Sequence, residues 1–142
     1  MILPDVNVLV YAHREDSNNH VAYRDWLDAT VNGNEPYGMS ENVLAGFLRV
    51  VTHPRIFDIP TTLKVASEFI DQLLDPGTCV HIRPGPRHWP IFTKLCKDSD
   101  AKGNLVADAY LAALAIESGC EWITTDRDFA RFKGLRWRHP LH

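Results

Sequence analysis

The chain opens with the apolar run Ile2-Leu3-Pro4, broken at Asp5, which predicts a short buried strand over residues 2–5. Pro4 confines that strand to an edge or an end, because proline has no N–H for the ladder. Val6 to Ala12 is expected as a short helix. Between His20 and Val31, Tyr23, Trp26, Leu27 and Thr30 recur at i, i+3, i+4 and i+7, one face of an amphipathic helix. Ser17 or Asn18 is its expected cap, and Asn32-Gly33-Asn34 its left-handed stop. Tyr37-Gly38-Met39 predicts a very short strand. Ser40 then caps a helix over Glu41–Val51, with Leu44, Ala45 and Leu48 as its stripe, and His53-Pro54 halts it.

The second half repeats the alternation. Thr61 or Thr62 opens a helix with the apolar face Ala66, Phe69, Ile70 and Leu73, closed by Asp75-Pro76-Gly77. Cys79 to Ile82 predicts a strand. Arg87 to Lys97 predicts a helix with Ile91, Leu95 and Trp89 inward, followed by a polar loop from Asp98 to Gly103. Asn104 to Ser118 is the clearest helix, rich in alanine and leucine and ended by Gly119. Trp122-Ile123-Thr124 predicts a strand, Arg127 to Phe132 a helical turn, and Leu135-Arg136-Trp137 an edge strand. Short apolar strands alternating with amphipathic helices imply an α/β protein whose parallel sheet is covered on both faces. No linker divides residues 1–142, so a single domain is expected. Ligands of such sheets sit beyond the carboxyl ends of the strands.

Composition narrows the class. The 45% hydrophobic and 23% charged fractions exclude a disordered chain. No apolar run is long enough to span a membrane, and Asp5 and Asn7 interrupt the only stretch that resembles a signal peptide. Cys79, Cys96 and Cys120 form no C-x-x-C pair. That speaks against a cysteine-based zinc site and suits a reducing cytoplasm. With 15 basic and 18 acidic residues the net charge is −3, which excludes coating nucleic acid by net charge but not cutting it.

The acids carry the candidate chemistry. Asp5 falls where the first strand ends, Glu41 in the first turn of a helix, Asp108 within the Asn104–Ser118 helix, and Asp126 and Asp128 after the Trp122–Thr124 strand. Taken singly, Asp5 is equally a turn residue or a site residue, and Glu41, Asp126 and Asp128 suit helix starts. Asp108 is different. Its helical neighbours Leu105, Leu111, Ala112 and Ala115 are apolar, and no basic residue lies within a turn of it. A carboxylate on such a face needs a partner or an ion. Glu41 heads Leu44, Ala45 and Leu48 in the same way, so both carboxylates are expected to point toward the sheet. Four or five carboxylates at one sheet end would raise one another's pKa values. A hard divalent cation, Mg²⁺ or Mn²⁺, relieves this. The seven histidines show no ligand spacing and read as surface or capping residues. No G-x-x-x-x-G-K-[ST] loop is present, so phosphoester hydrolysis by metal-activated water is favoured over nucleotide triphosphate chemistry.

Four segments in order carry a family resemblance: Asp5-Val6-Asn7-Val8-Leu9-Val10-Tyr11-Ala12, Met39-Ser40-Glu41, Asp108-Ala109-Tyr110-Leu111-Ala112-Ala113-Leu114-Ala115, and Thr124-Thr125-Asp126-Arg127-Asp128-Phe129. They resemble PIN-domain ribonucleases, in particular the VapC-type toxins of bacterial toxin–antitoxin pairs of the mycobacterial type. The resemblance implies a three-layer α/β/α sandwich on a mostly parallel four- to five-stranded sheet. It also implies a Mg²⁺- or Mn²⁺-dependent endoribonuclease that inhibits translation and growth. By position, Asp5, Glu41, Asp108 and Asp126 are the implied metal-binding and catalytic quartet. Asp128 is an auxiliary acid, and Asn7 and Thr125 are supporting hydrogen-bonding groups. The implied partners are a homodimer mate and a VapB-type antitoxin, with Trp26 and Phe47 as groove candidates or, equally, ordinary core.

For RNA, one basic stretch runs through Arg83, Arg87, Lys94, Lys97 and Lys102, and another through Arg127, Arg131, Lys133, Arg136 and Arg138. Arg83, Arg87, Arg127 and Arg131 are the candidate RNA contacts, and Trp89 and Trp137 are candidate stacking groups. Two rival readings stay open. One is a metal-dependent phosphatase of another doubly wound class, against which Asn7 stands where a second aspartate would be expected. The other is a non-catalytic RNA- or protein-binding module.

Overall fold

In a computed structural model of residues 1–142, five strands form one sheet in the order β3-β2-β1-β4-β5, every neighbouring pair parallel. The strands are β1 (Ile2–Pro4), β2 (Tyr37–Met39), β3 (Cys79–His81), β4 (Glu121–Ile123) and β5 (Trp137–Arg138). The helices are α1 (Val6–His13), α2 (His20–Val31), α3 (Glu41–Val51), α4 (Leu63–Leu74), α5 (His88–Ser99) and α6 (Asn104–Ser118), and a 3-10 turn spans Arg127–Arg131. The chain runs outward from β1 to β2 and β3, then crosses to the other side of β1 to lay down β4 and β5. Right-handed crossovers in opposite directions place helices on opposite faces, giving the α/β/α sandwich. None of the helices is long and apolar enough to cross a membrane.

The sheet is short and its central strands are clad on both faces, so their residues are mostly apolar, while Val80 and His81 of edge strand β3 are exposed. Leu3, Tyr37, Met39, Trp122 and Ile123 are all buried. Pro4 is tolerated in central β1 because it is the last residue of the strand; the next ladder bond runs from the Asp5 N–H to the Ile123 carbonyl at 2.8 Å. Gly38 is needed for close packing. A Cβ there would lie 2.8 Å from Ile82 Cγ1 and 3.2 Å from the Ile2 carbonyl oxygen. Gly38→Ala is therefore expected to cost about 1–3 kcal/mol by overpacking, read as a lowered urea midpoint.

Several details depart from the sequence reading. The cap of α2 is Asn19, in the left-handed region at φ 58°, not Ser17 or Asn18. Asn32 ends α2 at φ −89°, and neither Gly33 nor Asn34 is left-handed; Gly33 is instead pressed close to the Ala29 carbonyl. The buried stripe of α3 is Val43, Leu44, Phe47 and Val51, while Ala45 is exposed. Phe47 is thus core, stacked on Phe69 at 5.1 Å, and is no groove residue. Trp89 is not inward but 65% exposed. His88 is buried rather than a surface residue, and its Nε2 lies 3.0 Å from the Tyr110 carbonyl, which accepts its hydrogen. All three cysteines are free thiols.

Candidate active site

The strand order reverses at β1, and the carboxyl ends of β1 and β4 open there onto a cleft of about 1060 Å³. This is where doubly wound sheets bind ligands. Asp5, Asp108 and Asp126 line the cleft, with Asn7, Asn42 and Asn104. Helix α3 forms one wall, through Ala45, Gly46, Arg49 and Val50, and Phe92, Tyr110 and Leu111 of α5 and α6 form the other. Gly46 lets α3 approach α1, since a Cβ there would meet Val6 Cγ2 at 2.9 Å.

Asp5 is the anchor. It is the N-cap of α1, and only 6% exposed. Its Oδ1 accepts from the Val6 N–H at 2.7 Å and its Oδ2 accepts from the Thr124 hydroxyl at 2.6 Å. Burial nonetheless pushes its carboxyl up to about 6; the two hydrogen bonds pull it down, and the charges of Asp108 and Asp126 add to the rise. Asp108 is half-buried on α6, one helical turn into the chain from Asn104. Its pKa is raised by burial and then by Asp126 and Asp128, with Arg131 opposing. Asp126 caps the 3-10 turn, its Oδ1 accepting from the Asp128 N–H at 2.9 Å. None of these three carboxylates has an ion-pair partner within the chain, although eight ion pairs form elsewhere or at the margins.

Glu41 does not join them. It heads α3 as expected, but its stripe is rotated away from the sheet, and its Oε1 accepts from Arg83 Nη2 at 2.9 Å with both side chains exposed. It lines a smaller depression of about 370 Å³ that shares Asn42 and Tyr110 with the main cleft. Asp128 is exposed and 3.8 Å from Arg131, reaching Asp108 only through its charge. The three or four acids do not stand as a ready-made cage for an ion. Their donor chemistry still fits a hard divalent cation, which takes one or two carboxylates directly and keeps several waters.

The hydroxyl that braces the site comes from Thr124, one residue before Thr125. Thr124 is fully buried; its Oγ1 donates to Asp5 and accepts from the Asp126 N–H at 3.0 Å, tying two acids together. Thr125 makes no comparable bond. The signal was the period of two along β4: Trp122 and Thr124 face the same way. Thr124→Val is expected to cost about 1.5–3 kcal/mol, the range for a hydrogen bond to a charged group, measured by urea unfolding at neutral pH. Asn7 is exposed and lines the cleft without bonding an acid. Among the basic candidates, Arg83 is held by Glu41, Arg87 reaches the Glu117 carbonyl at 3.4 Å, Arg131 Nε donates to the Asp128 carbonyl at 3.1 Å, and Arg127 is exposed.

Comparison with known proteins agrees with this fold. The profile of the PIN domain matches residues 2–135. The chain is 51% identical over 141 residues to VapC ribonuclease Mb2897 of Mycobacterium bovis, covering 99% of this chain and 96% of that protein. It is 41% identical over 140 residues to ribonuclease VapC25 of Mycobacterium tuberculosis, covering 99% of both. Among solved structures, VapBC2 from Rickettsia felis bound to a promoter DNA fragment aligns with a TM-score of 0.70 and 19% identity, over 98% of both chains. VapBC-1 from nontypeable Haemophilus influenzae aligns with a TM-score of 0.69 and 18% identity over 100% of both chains. At those identities the structural matches speak for the fold alone.

Proposed function

The chain belongs to the PIN-domain family, alongside the mycobacterial VapC ribonucleases, and from that premise we propose that it is a divalent-metal-dependent endoribonuclease. The observation that carries the reading is the cleft at the switch point, where Asp5, Asp108 and Asp126 meet without an ion-pair partner, and where burial, then the neighbouring acids, raise the pKa values of Asp5 and Asp108.

Asp5, Asp108 and Asp126 would hold Mg²⁺ or Mn²⁺. Such an ion, when bound, activates water and offsets charge on the phosphoryl oxygens. Asp5 is locked by Val6 and Thr124, so its carboxylate needs no reorganisation. Asp108 faces the open cleft and is the group placed to orient the attacking water. Glu41 joins when it leaves Arg83, at small cost, because exposed ion pairs contribute only about 0–1 kcal/mol. Asn7 and Asp128 support the rim. Arg127, Arg131, Arg87 and, once freed, Arg83 would be the further RNA contacts, outside the lining of the cleft itself.

The relatives' names, VapC ribonucleases and VapBC structures, support the toxin of a toxin–antitoxin pair held by a VapB-type antitoxin; we further propose action in the cytoplasm as a homodimer that blocks translation and growth. The test is hydrolysis by antitoxin-free protein. Total cellular RNA is expected to yield discrete fragments with Mg²⁺ or Mn²⁺, and p-nitrophenyl phosphate to stay intact. Turnover of the monoester without RNA cleavage would assign the site to a phosphatase. RNA binding without cleavage of any RNA would assign it to a binding module.

A further inference from the structure

The two walls of the cleft differ in chemistry, and neither is used by the acids. Arg49 is the only lysine or arginine lining the cleft. It shares its face of α3 with Asn42 and Ala45, two turns along from the acid end, since residues at i, i+3 and i+7 stack on one side. It is exposed, makes no ion pair and donates no hydrogen bond within the chain.

The opposite wall is aromatic. Phe92 and Tyr110 line it, edge to face at 5.5 Å. Trp89, outside the cleft lining and exposed, packs against Phe92 at 5.3 Å. Buried His88 fixes this wall from behind, hydrogen-bonded to the Tyr110 carbonyl and packed on the Tyr110 ring at 4.3 Å. A large indole left in water beside a rigid aromatic pair offers a face to a planar ligand. A guanidinium without a partner, across an acidic cleft, offers a fork to an anion. A nucleotide has both features, an anionic backbone and a flat base.

Resting on the nuclease reading above, we propose that Arg49 holds an RNA phosphate on the α3 wall while exposed Trp89, braced by Phe92, stacks a base beside the α5 wall. The strand is thereby laid across the acids with its backbone toward α3. Arg49 and Trp89 position the substrate and take no part in the chemical step.

The test is fluorescence anisotropy with a fluorescein-labelled oligoribonucleotide of mixed sequence, in Mg²⁺, over a series of salt concentrations. The parent protein is the Asp108→Asn variant, so that the strand is not cut. Adding Arg49→Gln should weaken binding about tenfold and flatten the slope of log K against log salt by about 0.7, the value for one phosphate on a single strand. Arg49→Lys, which keeps the charge, should restore the slope. Trp89→Ala should weaken binding about tenfold, in line with loss of one stacked base, while leaving the salt slope alone. Both side chains are exposed, and an unchanged thermal midpoint confirms that each variant folds. An Arg49→Gln protein with the parent's slope, or a Trp89→Ala protein with the parent's affinity, overturns the proposal. Wild-type cleavage of RNA in the same buffer separates the two levels. Cleavage with unaltered variant binding removes only the track, and absence of both cleavage and binding removes the nuclease as well.

Discussion

Asp108→Asn should lower RNA cleavage by at least about 100-fold and leave the protein folded. Loss of a group that merely supports a metal ligand commonly costs roughly 10–100-fold, and Asp108 is proposed as a ligand itself. The fold should not suffer, because Asp108 accepts no hydrogen bond from the chain, and its charge is opposed by burial, Asp126 and Asp128. Neutralising it removes those penalties and creates no cavity. The thermal midpoint of the variant without metal at neutral pH should therefore equal or exceed that of the wild type. A variant that cleaves at the wild-type rate contradicts the assignment of Asp108. One that loses activity only because its midpoint has collapsed makes the residue structural.

The metal-free protein should lose stability as pH rises from about 4 to 7, and Asp5 should be the largest single source. Its carboxyl titrates near 6 in the folded protein, against 3.8 for an unperturbed aspartate. A carboxyl raised on folding binds its proton more tightly in the native state. Its contribution is thus fully present below the unfolded value and is lost as pH rises through the folded one. A difference of that size corresponds to about 3 kcal/mol. Asp108, also raised, adds in the same direction. Asp5→Asn should remove most of the slope, keeping the side chain's shape and an acceptor for the Val6 N–H. Saturating Mn²⁺ at neutral pH should restore the lost stability to the wild type and not to Asp5→Asn. Urea unfolding at pH 5 and pH 7.5, with and without the ion, checks all of this. A wild type that is equally stable at both pH values, or insensitive to the ion, contradicts the account of a strained carboxylate cluster.

The sequence spoke clearly where one physical signal dominated. Helices α2, α3 and α6 span the residues their periodicity predicts, and Gly119 ends α6 in the left-handed region at φ 71°. The acids at the ends of β1 and β4 were legible because a carboxylate just after an apolar run has nowhere to go but the sheet's end. The orientation of α3 was not. Counting its stripe from Leu44, Ala45 and Leu48 or from Val43, Leu44, Phe47 and Val51 differs by about 100° of rotation, one residue on a helix. That one step turns Glu41 from the sheet to Arg83, a residue 42 positions away whose approach no local pattern reveals.

The same limit applies to the bracing threonine. Thr124 and Thr125 are identical in type, and only the strand's alternation tells which faces Asp5. It applies as well to His88 and Trp89, adjacent at the start of α5, one buried and one exposed. The aromatic partners Phe92 and Tyr110 decide which of the two goes inside. Arg49 belongs to no charged run in the sequence, and only the folded cleft sets it apart from the other basic residues.

The central claim is that these acids make a metal-dependent ribonuclease, and metal depletion with rescue tests it most directly. Antitoxin-free protein would be stripped with EDTA, mixed with total cellular RNA, and then given increasing Mn²⁺ or Mg²⁺, with Asp108→Asn treated alongside. The account predicts no cleavage in EDTA, saturable return of discrete fragments as the ion is added, and none from the variant at any concentration. Fragments that persist in EDTA, or that Asp108→Asn produces equally well, would contradict it.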